Sequence, residues 1–150
     1  MILCASIAGY GGKPTTLSAF FDHSTSILVI DKSVQYREER QDGEEDWAFI
    51  TNVRCPAYDC MFLEEHLADA VSAFKTMEGA DAVILGDEVA KFRPRVESDG
   101  IDDKGQKWRL NPDMQNGEVA VLALIHFIER QRGLNNVLGG MDEIMDLISI

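Results

Sequence analysis

The chain predicts an α+β fold, layered antiparallel sheets of hairpins packed with helices, in a single domain. Three observations predict it. Strand-like runs arrive as adjacent pairs joined by short polar tips, where strands alternating singly with helices would instead predict a parallel sheet. Amphipathic helical stretches sit between and after those pairs. Hydrophobic residues make up 45% of the 150 positions and charged residues 27%, the composition of a globular chain long enough to close one core.

Met1 to Ala8 is a short apolar run suited to a buried strand, and Gly9 to Pro14 breaks it. Thr15 to Phe21 and Ser26 to Asp31 flank the polar tip Asp22-His23-Ser24-Thr25, a first hairpin. The competing reading makes Pro14 the first residue of a helix over Thr15 to Phe21. Val34 to Arg40 and Asp46 to Val53 form a second candidate hairpin around the acidic tip Gln41-Asp42-Gly43-Glu44-Glu45, and Pro56 ends it.

From about Tyr58 to Glu78, Leu63, Leu67, Ala70, Val71, Phe74 and Met77 recur at spacings of three and four, an apolar helical stripe. Asp59 stands at its start and Gly79 at its end. Ala82 to Leu85 and Val89 to Arg93 flank Gly86-Asp87, a third hairpin. Asp99 to Gly105 is a loop that lacks the ligand pattern of a calcium site, and Gln106 to Leu110 is one more short strand. A helix starts at Asn111-Pro112, is apolar almost all round from Val119 to Ile128, and stops at Gly133. Asp142 to Ile150 makes a last amphipathic helix.

Net charge is -12, which opposes the counterion-releasing attraction that direct nucleic-acid or anionic-membrane binding needs. It suits a protein partner with a basic surface, engaged through Glu44, Glu45 and Asp46. Three cysteines and no recognisable secretion signal read as a reduced, cytoplasmic protein. No apolar run approaches the ~20 residues that span a bilayer. Cys55, Cys60, Asp59 and His66 contain zinc-ligand atoms without the usual spacing, and no metal or cofactor is expected. His126, among Leu124, Ile125, Phe127 and Ile128, reads as a core histidine. Lys91, Arg93, Arg95, Lys104, Lys107 and Arg109 concentrate positive charge on an acidic chain, either for an anionic ligand or as a protected sheet edge.

Thr15-Thr16-Leu17 leads through the tip into Ile27-Leu28-Val29-Ile30-Asp31, with Asp31 sixteen residues beyond Thr15. With the order of hairpins and helices, this resembles the proteasome-like branch of the N-terminal-nucleophile (Ntn) hydrolases. The resemblance implies an Ntn-like αββα layering, self-association into a homo-oligomer, and an ancestral site at Thr15 and Asp31, with Lys32 nearby. It also implies a threonine nucleophile whose own free α-amine is the base. Trp47 stands where the family's activating lysine would fall, and Thr15 is internal. The leading expectation is therefore a divergent, non-catalytic, self-associating or partner-binding member.

Three alternatives stand beside it. One is an active threonine amidohydrolase or peptidase released by cleavage before Thr15. Another is a small acidic inhibitor or adaptor, in one form a nucleic-acid mimic, bound to a basic partner. The last is a nucleotide-binding protein with a degenerate phosphate loop at Gly11, Gly12, Lys13 and Thr16, in which Pro14 occupies the usual hydroxyl position.

Overall fold

In the computed structural model, which describes residues 1–37 and 46–148, with side chains described as far as residue 133, the apolar N-terminal run becomes an inner strand. β1 (Ile2–Ile7) pairs antiparallel with β2 (Thr15–Asp22), and β2 pairs antiparallel with β3 (Ile27–Ile30). The segment from Thr15 is thus strand and not helix, as its β-branched and aromatic residues favour.

On its other edge β1 takes β4 (Trp47–Thr51) in parallel, and β4 takes β5 (Cys60–Met61), also in parallel. β6 (Val83–Leu85) pairs in parallel with β3. The result is one mixed six-stranded sheet in the order β5-β4-β1-β2-β3-β6. A separate antiparallel ribbon is formed by β7 (Val96–Asp102) and β8 (Gly105–Leu110).

Two expected hairpins are therefore corrected. Residues 34–37 are not strand, residues 38–45 lie outside the described residues, and β4 finds its partners in β1 and β5 instead. Residues 90–92 form a 3-10 turn, which leaves β6 to pair with β3. The physical reason is shared: β1 and β3 each carry a free hydrogen-bonding edge beside a buried apolar strand, and pairing there satisfies the ladder while closing the core. A local turn competes poorly with that. The expected all-antiparallel arrangement gives way to three parallel pairings among five in the main sheet. The strand pair around residues 103 and 104 replaces the expected loop.

The first helix is shorter than its stripe suggests. Cys60 and Met61 are strand, residues 64–66 a 3-10 turn, and α1 runs over Leu67–Gly79. Asp59 serves β4 and not the helix: its carboxylate accepts the Phe49 N–H at 2.7 Å and its own N–H donates to the Phe49 carbonyl. α2 spans Asn116–Ile148 without a break, so Gly133 is not a stop and the separate last helix merges with it. One helical glycine costs only about 1 kcal/mol, which flanking helix formers offset.

Alternation decides how the layers close. Leu3, Ala5, Ile7, Leu17, Ala19, Phe21, Leu28, Ile30, Ala48 and Ile50 point to one face and are buried there with α2, whose Val119 to Ile125 are wholly enclosed. α1 packs on α2 and on β8. On the opposite face Trp47, Ile2, Phe20, Val29 and Ile84 fall into one row across five strands, and Tyr36 packs edge-on against Trp47. Among the described residues no helix is long and apolar enough to cross a membrane.

Candidate functional site

The candidate catalytic and phosphate-loop residues separate into two neighbouring places on either side of Pro14. Thr15, Thr16, Asp31 and Lys32 line one cleft of about 390 Å³, together with Ser18, Val34, Glu88, Val89, Lys91 and Phe92. The cleft exists because β2 is longer than its neighbour. β3 ends at Ile30, opposite Ala19, so Thr15 to Ser18 lack a β3 partner and the chain turns away at Asp31.

Each candidate group in the cleft already has an engagement. Thr15 Oγ1 donates to the Lys13 carbonyl at 2.9 Å, and Thr16 Oγ1 donates to Ser6 Oγ at 3.1 Å. The Asp31 carboxylate accepts the Ser33 N–H at 3.3 Å. It also lies so close to Gly86 that a Cβ there would fall 2.5 Å from its Cγ, which explains glycine at that position. Lys32 Nζ stands 3.5 Å from the Glu88 carboxylate, both side chains about two-thirds exposed, and Lys91 lies over the Phe92 ring. Thr15 has no α-amine of its own, and among the described residues no base holds a hydrogen bond to its hydroxyl. Thr15, Asp31 and Lys32 thus line one cleft, and the threonine there is not activated.

The glycine-rich stretch is a structural joint. Tyr10 N–H donates to Asn116 Oδ1 (2.9 Å), Gly11 N–H to the Met114 carbonyl (3.1 Å), and Asn116 N–H to the Gly11 carbonyl (2.8 Å). Asn116 Nδ2 donates to the carbonyls of Gly12 and Lys13 at 3.1 and 3.0 Å. Gly12 has φ +82°, and a Cβ on Gly11 would lie 2.7 Å from Gln115 Nε2. A phosphate cradle needs free loop amides running into a helix N-terminus. Here the amides of Tyr10 and Gly11 are spent on Asn116 of α2 and on Met114 just before it, and the loop runs into a strand.

Beside this joint, buried Glu118 accepts from Arg95 N–H (2.9 Å), from the Arg95 guanidinium (2.8 Å) and from Gln115 N–H (3.1 Å). Burial pushes its carboxyl up, but those hydrogen bonds outweigh burial and hold it below the ordinary glutamate value. Other members of the basic segment are paired as well: Arg93 with Glu78, Lys107 with Asp102, and Arg109 with Glu97 and Asp99. The charge concentration in sequence is thus largely neutralised within the fold.

Between α1 and α2, His126 is buried and stacks on His66, ring centroids 4.5 Å apart. Leu63 N–H donates to His66 Nδ1 at 3.0 Å, which assigns the proton of a neutral ring to Nε2. Burial, and then the neighbouring His66 and Arg130, push His126 below its ordinary value, while Asp69 opposes them. Among the described residues no three His, Cys, Asp or Glu side chains are placed to share a metal ion. Asp46 is exposed at the edge of the described region; Glu44 and Glu45 lie outside it.

Sequence reasoning missed Asn116, Glu118 and the cleft's Val34, Glu88 and Phe92. Pro112 invited an early helix start, whereas Glu118 accepting the N–H of Gln115, three residues earlier, is the N-terminal signal that marks the true one. Compared with known proteins, the chain matches no family model, no curated protein and no solved structure.

Proposed function

We propose that this chain is a non-catalytic binding protein, acting by self-association or on a protein partner with a basic surface. One observation carries the reading: the residues that would have to leave to expose the Thr15 amine include β1, an inner strand that joins β2 to β4 and contributes Leu3, Ala5 and Ile7 to the core. A threonine hydrolase of the N-terminal-nucleophile type needs that amine. Here, freeing it would open the sheet at its middle.

Kinship with the proteasome-like branch is part of this proposal. Its support is the β2–β3 hairpin, with Thr15 at one end and Asp31 just past the other, and the cleft they share with Lys32. The net charge of -12 supports a cationic partner through long-range attraction.

Mass spectrometry of intact protein after prolonged incubation tests the reading. The expected mass is that of the uncut 150-residue chain, with no turnover of amide substrates. A folded species beginning at Thr15 that cleaves them would overturn it. Capture of partners at low salt, repeated after charge reversal at Glu44, Glu45 and Asp46, then tests the cationic-partner part, which predicts loss of capture.

A further inference from the structure

Resting on the binding reading above, we propose that the overhang of β2 past the end of β3 is a strand-addition site for an extended, cationic peptide segment of a protein partner. One aliphatic side chain of that segment would seat on Val34, Val89 and Phe92.

The direction of the β2 main-chain groups follows from one pair. Phe21 donates its N–H to the Met1 carbonyl at 2.9 Å, and its carbonyl accepts from the Met1 amine at 3.1 Å. Since such groups alternate along a strand, Phe21, Ala19, Leu17 and Thr15 face β1. Phe20, Ser18 and Thr16 face the other way, and the Asp22 carbonyl agrees, accepting from Ser26 on that side. Phe20 meets Val29 of β3. Thr16 has nothing comparable: β3 has ended, and among the described residues no main-chain hydrogen bond reaches it from the cleft.

The segment that turns away spends its own groups on the turn. Val34 N–H donates to the Asp31 carbonyl at 3.2 Å and Ser33 N–H to the Asp31 carboxylate. The cleft therefore offers a short length of open strand edge, an apolar floor of Val34, Val89 and Phe92, and a rim of Asp31, Lys32, Glu88 and Lys91. Main-chain pairing for affinity and a side-chain pocket for selectivity are the two requirements of strand addition. The volume, about 390 Å³, lies in the range of ligand pockets. It admits a slim extended chain.

The test uses the full chain and fluorescent hexapeptides alternating valine with threonine and ending in lysine amide. Each is paired with a counterpart N-methylated at the amides that would face β2. The expected result is saturable binding of the unmodified peptides, with chemical-shift changes and slowed amide exchange centred on Thr16 and Ser18. N-methylation should weaken binding about tenfold, the worth of one or two main-chain hydrogen bonds. Thr16→Pro, which removes the open donor while leaving the β1-facing groups in place, should do the same. Val34→Asn, which removes the apolar seat without adding charge, should weaken binding without moving the Thr16 signals of the free protein.

Equal binding by methylated peptides, or shifts centred elsewhere, would overturn the site. So would no binding by any peptide while low-salt capture of a partner persists, and the binding reading would then stand without this site. Peptide bound here and cut at the same time would sustain the site and overturn the non-catalytic reading.

Discussion

The joint at Gly9 to Lys13 and the cleft beginning at Thr15 are adjacent in the chain and opposite in character. In the joint, the amides of Tyr10 and Gly11, the carbonyls from Gly11 to Lys13, and the buried side chains of Asn116 and Glu118 all have partners. In the cleft, Lys32, Glu88 and Thr16 are exposed, and Thr16 faces an edge where the neighbouring strand has ended. A fully satisfied buried network holds one geometry, because breaking any member leaves a desolvated group. Partly exposed groups with weak engagements can exchange them for a ligand's. The difference places stability in the joint and leaves the groups of the cleft free to change partners.

Removing residues 1–14 breaks that comparison at its root and should have the largest effect. The shortened chain loses an inner strand and is expected to be insoluble or, by circular dichroism, without a cooperative thermal transition. Next comes Glu118→Ala, which strands the N–H groups of Arg95 and Gln115 and leaves the guanidinium without its buried anion. The guanidinium is half exposed and stays solvated, so the loss expected in urea unfolding is that of the two stranded donors, about 2–4 kcal/mol. Asn116→Ala removes three hydrogen bonds that tie the glycine-rich loop to α2 and should cost about 2–3 kcal/mol. In the cleft, Thr15→Ala and Lys32→Ala should each change stability by no more than about 0.5 kcal/mol.

The pH dependence sharpens the same contrast. His126 and Glu118 both have folded-state values below their ordinary ones, 6.5 and 4.5. Where folding lowers a group's affinity for protons, the unfolded chain binds more of them, and stability drops as pH drops. The His126 contribution is complete above about pH 6.5 and is lost as pH drops through its lowered folded value. The Glu118 contribution is complete above about pH 4.5 and is lost below that. Urea midpoints across pH 8 to 3 should fall in two stages. His126→Asn should flatten the first and Glu118→Gln the second, while no cleft variant alters either.

Much of the local structure was legible in the residues themselves. The polar tip after Phe21 and the stripe of Ala70, Val71, Phe74 and Met77 act over a few neighbours and are plain in the sequence, whereas the β-branched and aromatic content of Thr15 to Phe21 favours strand without excluding the helix. The cleft was half legible. Thr15 and Asp31, marked by their spacing, line the same cleft, but Val34, Glu88 and Phe92 come from segments that sequence placed in hairpins. The glycine-rich stretch read as a possible phosphate loop because glycine marks any close backbone approach, and the residue approached here, Asn116, lies a hundred positions away.

By itself, then, the sequence determined the α+β character, the strands at β1 and β3, and the burial of the helix around Val119 to Ile125, and it left Thr15 to Phe21 between strand and helix. Periodicity and local turn chemistry are sufficient for those. Only the tertiary structure decided that β4 and β6 pair in parallel with β1 and β3, that Asn116 clamps the loop, and that β2 outruns β3 to leave a cleft. Those outcomes depend on which distant edge offers unpaired hydrogen-bonding groups and an apolar face, and no local window of sequence contains both partners.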